Sequence, residues 1–163
     1  MITTRLDTGA RFLDAVGLTA RRVIDDEDVE WLRVIRNTCR LGFAADNSVI
    51  TARQQEAWWQ KNEQRIVAYL YQDDEGFIVG YALLRMTDDG RWWSSVATLP
   101  PYIGRGYGGS MTAHIIRQSP TGVVYGQARK DNPAACRLHH IRDWLVIGED
   151  ERLMTYKTRE PLS

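Results

Sequence analysis

The chain has 163 residues, enough for one ordinary domain and too few for two. Hydrophobic residues make up 44% and charged residues 26%, a globular balance that excludes wholesale disorder. Twenty-one basic side chains face twenty-one acidic ones. The formal charge of zero argues against extensive nucleic-acid contact and against an anionic membrane surface, since both need a basic excess.

Two cysteines, Cys39 and Cys136, fall in predicted helices and read as small apolar residues in a reducing compartment. Three histidines and two cysteines form no paired ligand spacing, so no metal is expected. No apolar run is long enough to span a membrane. The start, with Asp7 and Asp14, does not read as a signal peptide, so the cytoplasm is the expected location.

In chain order, residues 1–17 read as an N-terminal extension, with a short helix near Ala10–Ala15, ahead of one domain over 18–163. Leu18–Ile24 is a strand. Asp25 or Asp26 caps a helix to about Arg40, with Glu27, Asp28 and Glu30 at its dipole-favoured start. Val29, Leu32, Ile35 and Cys39 form its apolar stripe. Asp46, Asn47 and Ser48 mark a loop. Thr51 and Gln54 form a capping box for a helix over Ala52–Asn62. Arg65–Tyr71, Phe77–Met86 and Arg91–Leu99 are strands of an antiparallel meander, turned at Asp73–Gly76 and Asp89-Gly90.

The style then changes. Pro100-Pro101 stops the third strand of the meander, and four of the thirteen glycines crowd between Gly104 and Gly109. Ser110–Arg117 is a helix and Gly122–Ala128 a strand. Asn132 caps a helix opened by Pro133 and running to about Ile141. Leu145–Ile147 and Leu153–Lys157 close the chain as a hairpin. The order is β-α-α-β-β-β-α-β-α-β-β, an α+β domain with one parallel pair inside a mixed, mostly antiparallel sheet.

Glycines just before a helix let backbone N–H groups converge beside the positive end of the helix dipole, which makes an anion cradle. A Walker A reading fails because Ser110 stands where its Lys must be. Gly104, Gly106 and Gly109 match G-x-G-x-x-G with Asp131 downstream, but an antiparallel meander precedes the loop and little chain follows for a dinucleotide fold.

The loop instead resembles the [QR]-x-x-G-x-[GA] signature of the GNAT family of N-acetyltransferases. The correspondence falls on Ile103-Gly104-Arg105-Gly106-Tyr107-Gly108, with Ile103 in place of Gln or Arg. A second family signature resembles Asn132 to Trp144. There Asn132, Ala135, Leu138 and Trp144 match in register, His139 replaces Tyr and Asp143 replaces Gly. A third resemblance joins Arg36-Asn37, Ile50-Thr51 and Gln55 to Trp59, a pattern of members that acetylate amino sugars or ribosomal proteins, with Gln55 where His is common.

The resemblance implies a GNAT fold with about four helices around a sheet splayed between its fourth and fifth strands. It implies acetyl-CoA as cosubstrate. Its pyrophosphate would lie on Gly104, Arg105, Gly106, Gly108 and Gly109, and its pantetheine along Ala97, Thr98, Leu99 and Asn132. His139 takes the place of the family's thiolate-protonating Tyr. Arg36 and Asn37 stand on the acceptor side. The acceptor class is a small-molecule amine, an amino sugar or a peptide, and homodimers are common in such a family. The fourth strand carries no carboxylate, so a water-relayed base, or an acceptor amine whose free-base fraction suffices, is expected. The competing readings are a non-catalytic acyl-CoA-binding module and a nucleobase modifier on the same fold.

Overall fold

The computed structural model describes residues 17–44 and 47–159. The short helix expected near Ala10–Ala15 and the loop marker Asp46 lie outside the described residues. Seven strands form one sheet: β1 (Thr19–Arg22), β2 (Ile66–Gln72), β3 (Ile78–Met86), β4 (Trp92–Thr98), β5 (Tyr125–Arg129), β6 (Leu145–Glu149) and β7 (Leu153–Lys157). Their spatial order is β1-β2-β3-β4-β5-β7-β6. The helices are α1 (Asp26–Cys39), α2 (Ala52–Asn62), α3 (Tyr107–Arg117) and α4 (Pro133–Ile141).

Asp25, not Asp26, caps α1, its carboxylate accepting from the Asp28 N–H at 2.9 Å. The stripe expected on α1 buries Val29, Leu32 and Ile35 against Ile66, Ala68 and Leu70 of β2. Burial of each such side chain contributes about 1.5–3 kcal/mol. Asp28 does more than favour the helix dipole. It is wholly buried and pairs with the equally buried Arg21 of β1 at 3.0 Å, which ties helix to sheet edge. Thr51 and Gln54 complete the capping box of α2 with bonds of 3.1 and 2.8 Å.

Both hairpin turns form as read. Gly76 and Gly90 take the left-handed conformation, and Asp73 and Asp89 accept backbone N–H bonds across their turns. The opposite face of the sheet packs Val79, Leu84 and Trp92 against Met111 and Ile115 of α3, with Val124 and Tyr156 beyond. The two cysteines are half-buried free thiols.

Two elements start three residues away from the sequence reading, and one further position takes an unusual backbone conformation. Helix α3 begins at Tyr107 rather than Ser110, because Gly106 (φ 82°) makes the turn and Gly108 and Gly109 join the first helical turn. Strand β5 starts at Tyr125 rather than Gly122, because Gly122 turns left-handed and the Ser119 and Thr121 hydroxyls hold the Val123 carbonyl in a loop. Asp143 sits at φ 59° where the resembling pattern has Gly, and its carboxylate pairs with Arg159 at 2.8 Å. The position demands a left-handed residue, and Asp is among the few side chains that tolerate it.

The feature that positions the site is the join between β4 and β5. These strands run parallel and pair once, Trp93 to Tyr125. Past that rung they diverge, while β4 stays paired with β3 all the way to Thr98.

Candidate functional site

The divergence of β4 and β5 opens a cleft of about 1240 Å³ that runs from the glycine loop to the far end of β3. Its near end is made of backbone. Gly104 (φ 88°) and Gly106 (φ 82°) both need the left-handed region. No side chain caps Gly106, so the first-turn amides of Tyr107, Gly108 and Gly109 have no side-chain acceptor. The helix dipole adds its positive end at the same place. Gly104, Gly106 and Gly108 line the cleft.

The other expected loop residues divide. Gly109 packs beside the end of α4, where an added Cβ would lie 3.2 Å from the tip of the Arg142 side chain. Arg142 also donates to the Gly109 carbonyl at 2.5 Å, clamping the loop helix to the end of α4. Arg105 turns its guanidinium over the Tyr102 ring, 5.4 Å from the centroid. Ile103, the departing letter, is exposed at the mouth of the cleft.

The backbone groups of β4 expected along the pantetheine divide between the two edges of the strand. Its backbone alternates between the partner strand and the gap. The Leu99 N–H donates to Val79 at 2.8 Å, and a Cβ on Gly80 would fall 2.2 Å from the Ala97 carbonyl oxygen. Ala97 and Leu99 therefore direct those backbone groups at β3. Alternation turns the backbone of Val96 and Thr98 toward the gap, and the Thr98 carbonyl accepts from the Cys39 thiol at 3.3 Å. Val96 was absent from the sequence reading, because strand phase is set by pairing with Val79 and Gly80 and is not written in the residues of β4 alone. Asn132 lines the cleft while capping α4, its carbonyl oxygen accepting from the Ala135 N–H at 3.2 Å and its amide donating to the Gly42 carbonyl.

His139 sits on the α4 wall of the cleft. Its ring stacks on Tyr156 at 4.3 Å and meets Trp144 edge-on at 4.7 Å. Nδ1 lies 2.7 Å from the Ala135 carbonyl and so carries the proton there. Nε2 faces Gly126, where an added Cβ would lie 2.8 Å away. Burial pulls the ring's pKa below its ordinary value, so the neutral form is favoured.

The far end is made of side chains. Arg36 lines it, donates to the Ser48 carbonyl at 3.0 Å and lies over the Phe43 ring. Asn37 does not line the cleft. Its amide makes both bonds to the Ile50 backbone, at 2.8 and 2.9 Å, fixing the loop that leads into α2. Gln55 is buried on the lining. Tyr81 stacks on Phe43 and shares a 3.3 Å hydrogen bond with Ser95, and burial pushes its phenol up to about 12. Of the paired tryptophans, Trp92 enters the core and Trp93 faces the cleft. Beside Trp93 on the next strand stands Arg85, a residue sequence reasoning missed although period-two alternation from Tyr81 reaches it.

Among the described residues that line the cleft there is no Asp or Glu, so the expected absence of a carboxylate on β4 extends to the whole described wall. No group of three His, Cys, Asp or Glu among the described residues could hold a metal. No described helix is long and apolar enough to cross a membrane.

A splayed parallel pair beside an uncapped, glycine-opened helix is the architecture of an acetyltransferase fold. The acetyltransferase (GNAT) family model matches residues 30–143, and the chain belongs to that family. Among solved structures it is similar to yncA from Salmonella typhimurium with its cofactor acetyl-CoA, at 20% identity over 90% of this chain and 97% of that one, TM-score 0.71. It is also similar to the ribosomal-protein-alanine N-acetyltransferase from Brucella melitensis, at 19% identity over 85% and 97% of the two chains, TM-score 0.68. The spermidine N-acetyltransferase from Vibrio cholerae, in complex with CoA and spermine, matches at 13% identity over 86% and 94%, TM-score 0.68. At these identities the likeness is one of fold. No curated protein matches the chain.

Proposed function

We propose that the chain is an N-acetyltransferase that moves the acetyl group of acetyl-CoA to a primary amine by direct attack in a ternary complex. The observation that carries this is the coincidence of the β4–β5 gap with the start of α3, which sets strand-edge backbone and anion-binding amides in one continuous cleft. The donor set suits a thioester that bears a pyrophosphate. The first-turn amides of α3, with Gly104, Arg105 and Gly106, would hold the phosphates. Thr98 and Val96 would hydrogen-bond the amide-rich arm, with Asn132 alongside. Acetyl-CoA supplies the activated acyl group when bound, and the chain's own residues orient it and exclude water.

The amine nitrogen forms the C–N bond as the C–S bond breaks, and the electron pair leaves with the sulfur. The ammonium must first lose a proton. The described lining has no carboxylate, and a phenol near 12 is no base at neutral pH, so water along the cleft takes that proton. Water also returns one to the thiolate. His139 stays on the wall as a packing and positioning group, because its one proton is held by Ala135 and its burial disfavours the charged form. The reaction then balances as amine plus thioester giving amide plus free thiol.

The test is thiol release from acetyl-CoA over a panel of amines, beside CoA binding by calorimetry. Binding with amine-dependent thiol release supports the reading. Binding with no turnover on any amine identifies an acyl-CoA-binding module instead. The cytoplasm and a homodimeric assembly belong to the same proposal, the latter checked by sedimentation.

A further inference from the structure

We infer that the acceptor is a small amine that also carries a carboxylate, and that Arg85 reads that carboxylate. This rests on the acetyltransferase reading above. The charged side chains among the described lining residues are both arginines, Arg36 and Arg85. A polycationic acceptor would meet the Arg85 guanidinium there, with no carboxylate among the described lining residues. An acceptor whose amine reacts and whose other end is anionic meets the opposite situation.

Arg85 is suited to that second role by its place. It stands on β3 opposite Trp93 of β4, on the cleft-facing side of the sheet with Tyr81, Leu83 and Ser95. Tyr81 pairs with Ala97 and Arg85 with Trp93, four residues apart, so Arg85 lies roughly 13 Å along the strand from the cofactor end of the cleft. Its guanidinium is exposed and makes no ion pair or hydrogen bond with a described residue. Trp93 beside it gives an apolar flank, tilted against Tyr125 at 5.3 Å. A planar guanidinium over an open cleft, next to an indole, is a bidentate carboxylate seat.

A second observation points the same way. An adjoining hollow of about 520 Å³ shares Arg85 and Thr87 with the cleft and holds Lys61 and Arg65 as well. Its one acidic lining residue is Asp88, fully exposed and already paired with Arg65 at 2.6 Å. The acceptor mouth is therefore basic on a chain of zero net charge, which concentrates anions at that opening. The apolar side chains nearby, Leu83, Trp58 and Phe43, favour an acceptor with an apolar body between its two charges.

The experiment measures thiol release with 6-aminohexanoate and 8-aminooctanoate, whose alkyl chains separate amine from carboxylate, their carboxamides, and spermidine, for the wild type, Arg85→Ala and Arg85→Lys. The wild type is expected to prefer the free acids over the amides. Arg85→Ala should lower kcat/KM on the acids about 10- to 100-fold, through KM, as loss of a charged hydrogen bond predicts, and erase the preference. Arg85→Lys should restore part of it. A wild-type preference for amides or spermidine, or an acid preference that survives Arg85→Ala, overturns the acceptor class and leaves the transferase reading standing. CoA binding with no thiol release on any amine overturns both.

Discussion

The two ends of the cleft are built from different materials. The end proposed for the cofactor is backbone: left-handed glycines, uncapped amides of α3, and the strand edge of β4. The end proposed for the acceptor is side chains drawn from α1, α2, β3 and β4, with Arg36, Gln55, Tyr81, Arg85 and Trp93 meeting only because register and packing bring them together. Backbone recognition suits a ligand that never changes, because its donors cannot be altered by most substitutions. Side-chain recognition suits a partner that differs from one relative to the next.

That contrast can be broken or sharpened by substitution. The largest effect belongs to neither end. Asp28→Ala leaves the buried Arg21 guanidinium without its carboxylate and should destabilise the fold by about 3–5 kcal/mol, measured by urea unfolding. It should lower cofactor and acceptor functions together, through the folded fraction. Gly106→Ala puts a side chain into a left-handed position at a cost of about 1–2 kcal/mol. Calorimetry should show CoA binding weakened by about 5- to 30-fold, with acceptor preference intact.

Asn37→Ala tests the other end. It removes both bonds to the Ile50 backbone and should cost about 1–2 kcal/mol of stability. The acceptor KM should rise as the loop before α2 loosens, while CoA affinity stays unchanged. An equal loss of CoA affinity would erase the distinction between the ends.

The smallest effect is expected at His139. His139→Phe keeps a ring on Tyr156 and should leave kcat within about threefold, whereas loss of a working general acid costs about 100-fold or more. The same variant carries a pH signature. The folded ring's pKa lies below its ordinary value of 6.5, so below that pH the unfolded chain binds a proton that the folded chain resists. Stability from this group is full above 6.5 and falls as pH drops toward the folded value. His139→Phe should flatten that part of the acid-stability profile.

The glycine-loop end of the cleft was legible in the sequence because glycine is chosen for backbone conformation. Gly104 and Gly106 sit where only a left-handed turn explains them, and Asn132 with Pro133 writes out a helix start. Local signals also placed the capping box of Thr51 and the turns at Gly76 and Gly90. What local signals lacked was phase between elements. Ala97 and Thr98 look alike as strand residues, yet their hydrogen-bonding edges face opposite ways because of Val79 and Gly80. Asn37 read as an acceptor contact because its partner, the Ile50 backbone, is not encoded beside it. Arg85 carried no motif at all, and the cleft around it forms only when β3 meets β4 and α2.

The most direct measurement is a titration of the isotope-labelled protein with CoA, followed by backbone amide resonances, and repeated with pantetheine alone. The account predicts that CoA moves the amides of Gly106, Tyr107, Gly108, Gly109 and Thr98, and leaves the Trp93 indole and the Arg85 guanidinium nearly still. Pantetheine should move Thr98 and Val96 but not the α3 amides. Shifts centred on Arg85 and Trp93, or an α3 start that ignores CoA, would contradict the assignment of the glycine loop as the phosphate seat.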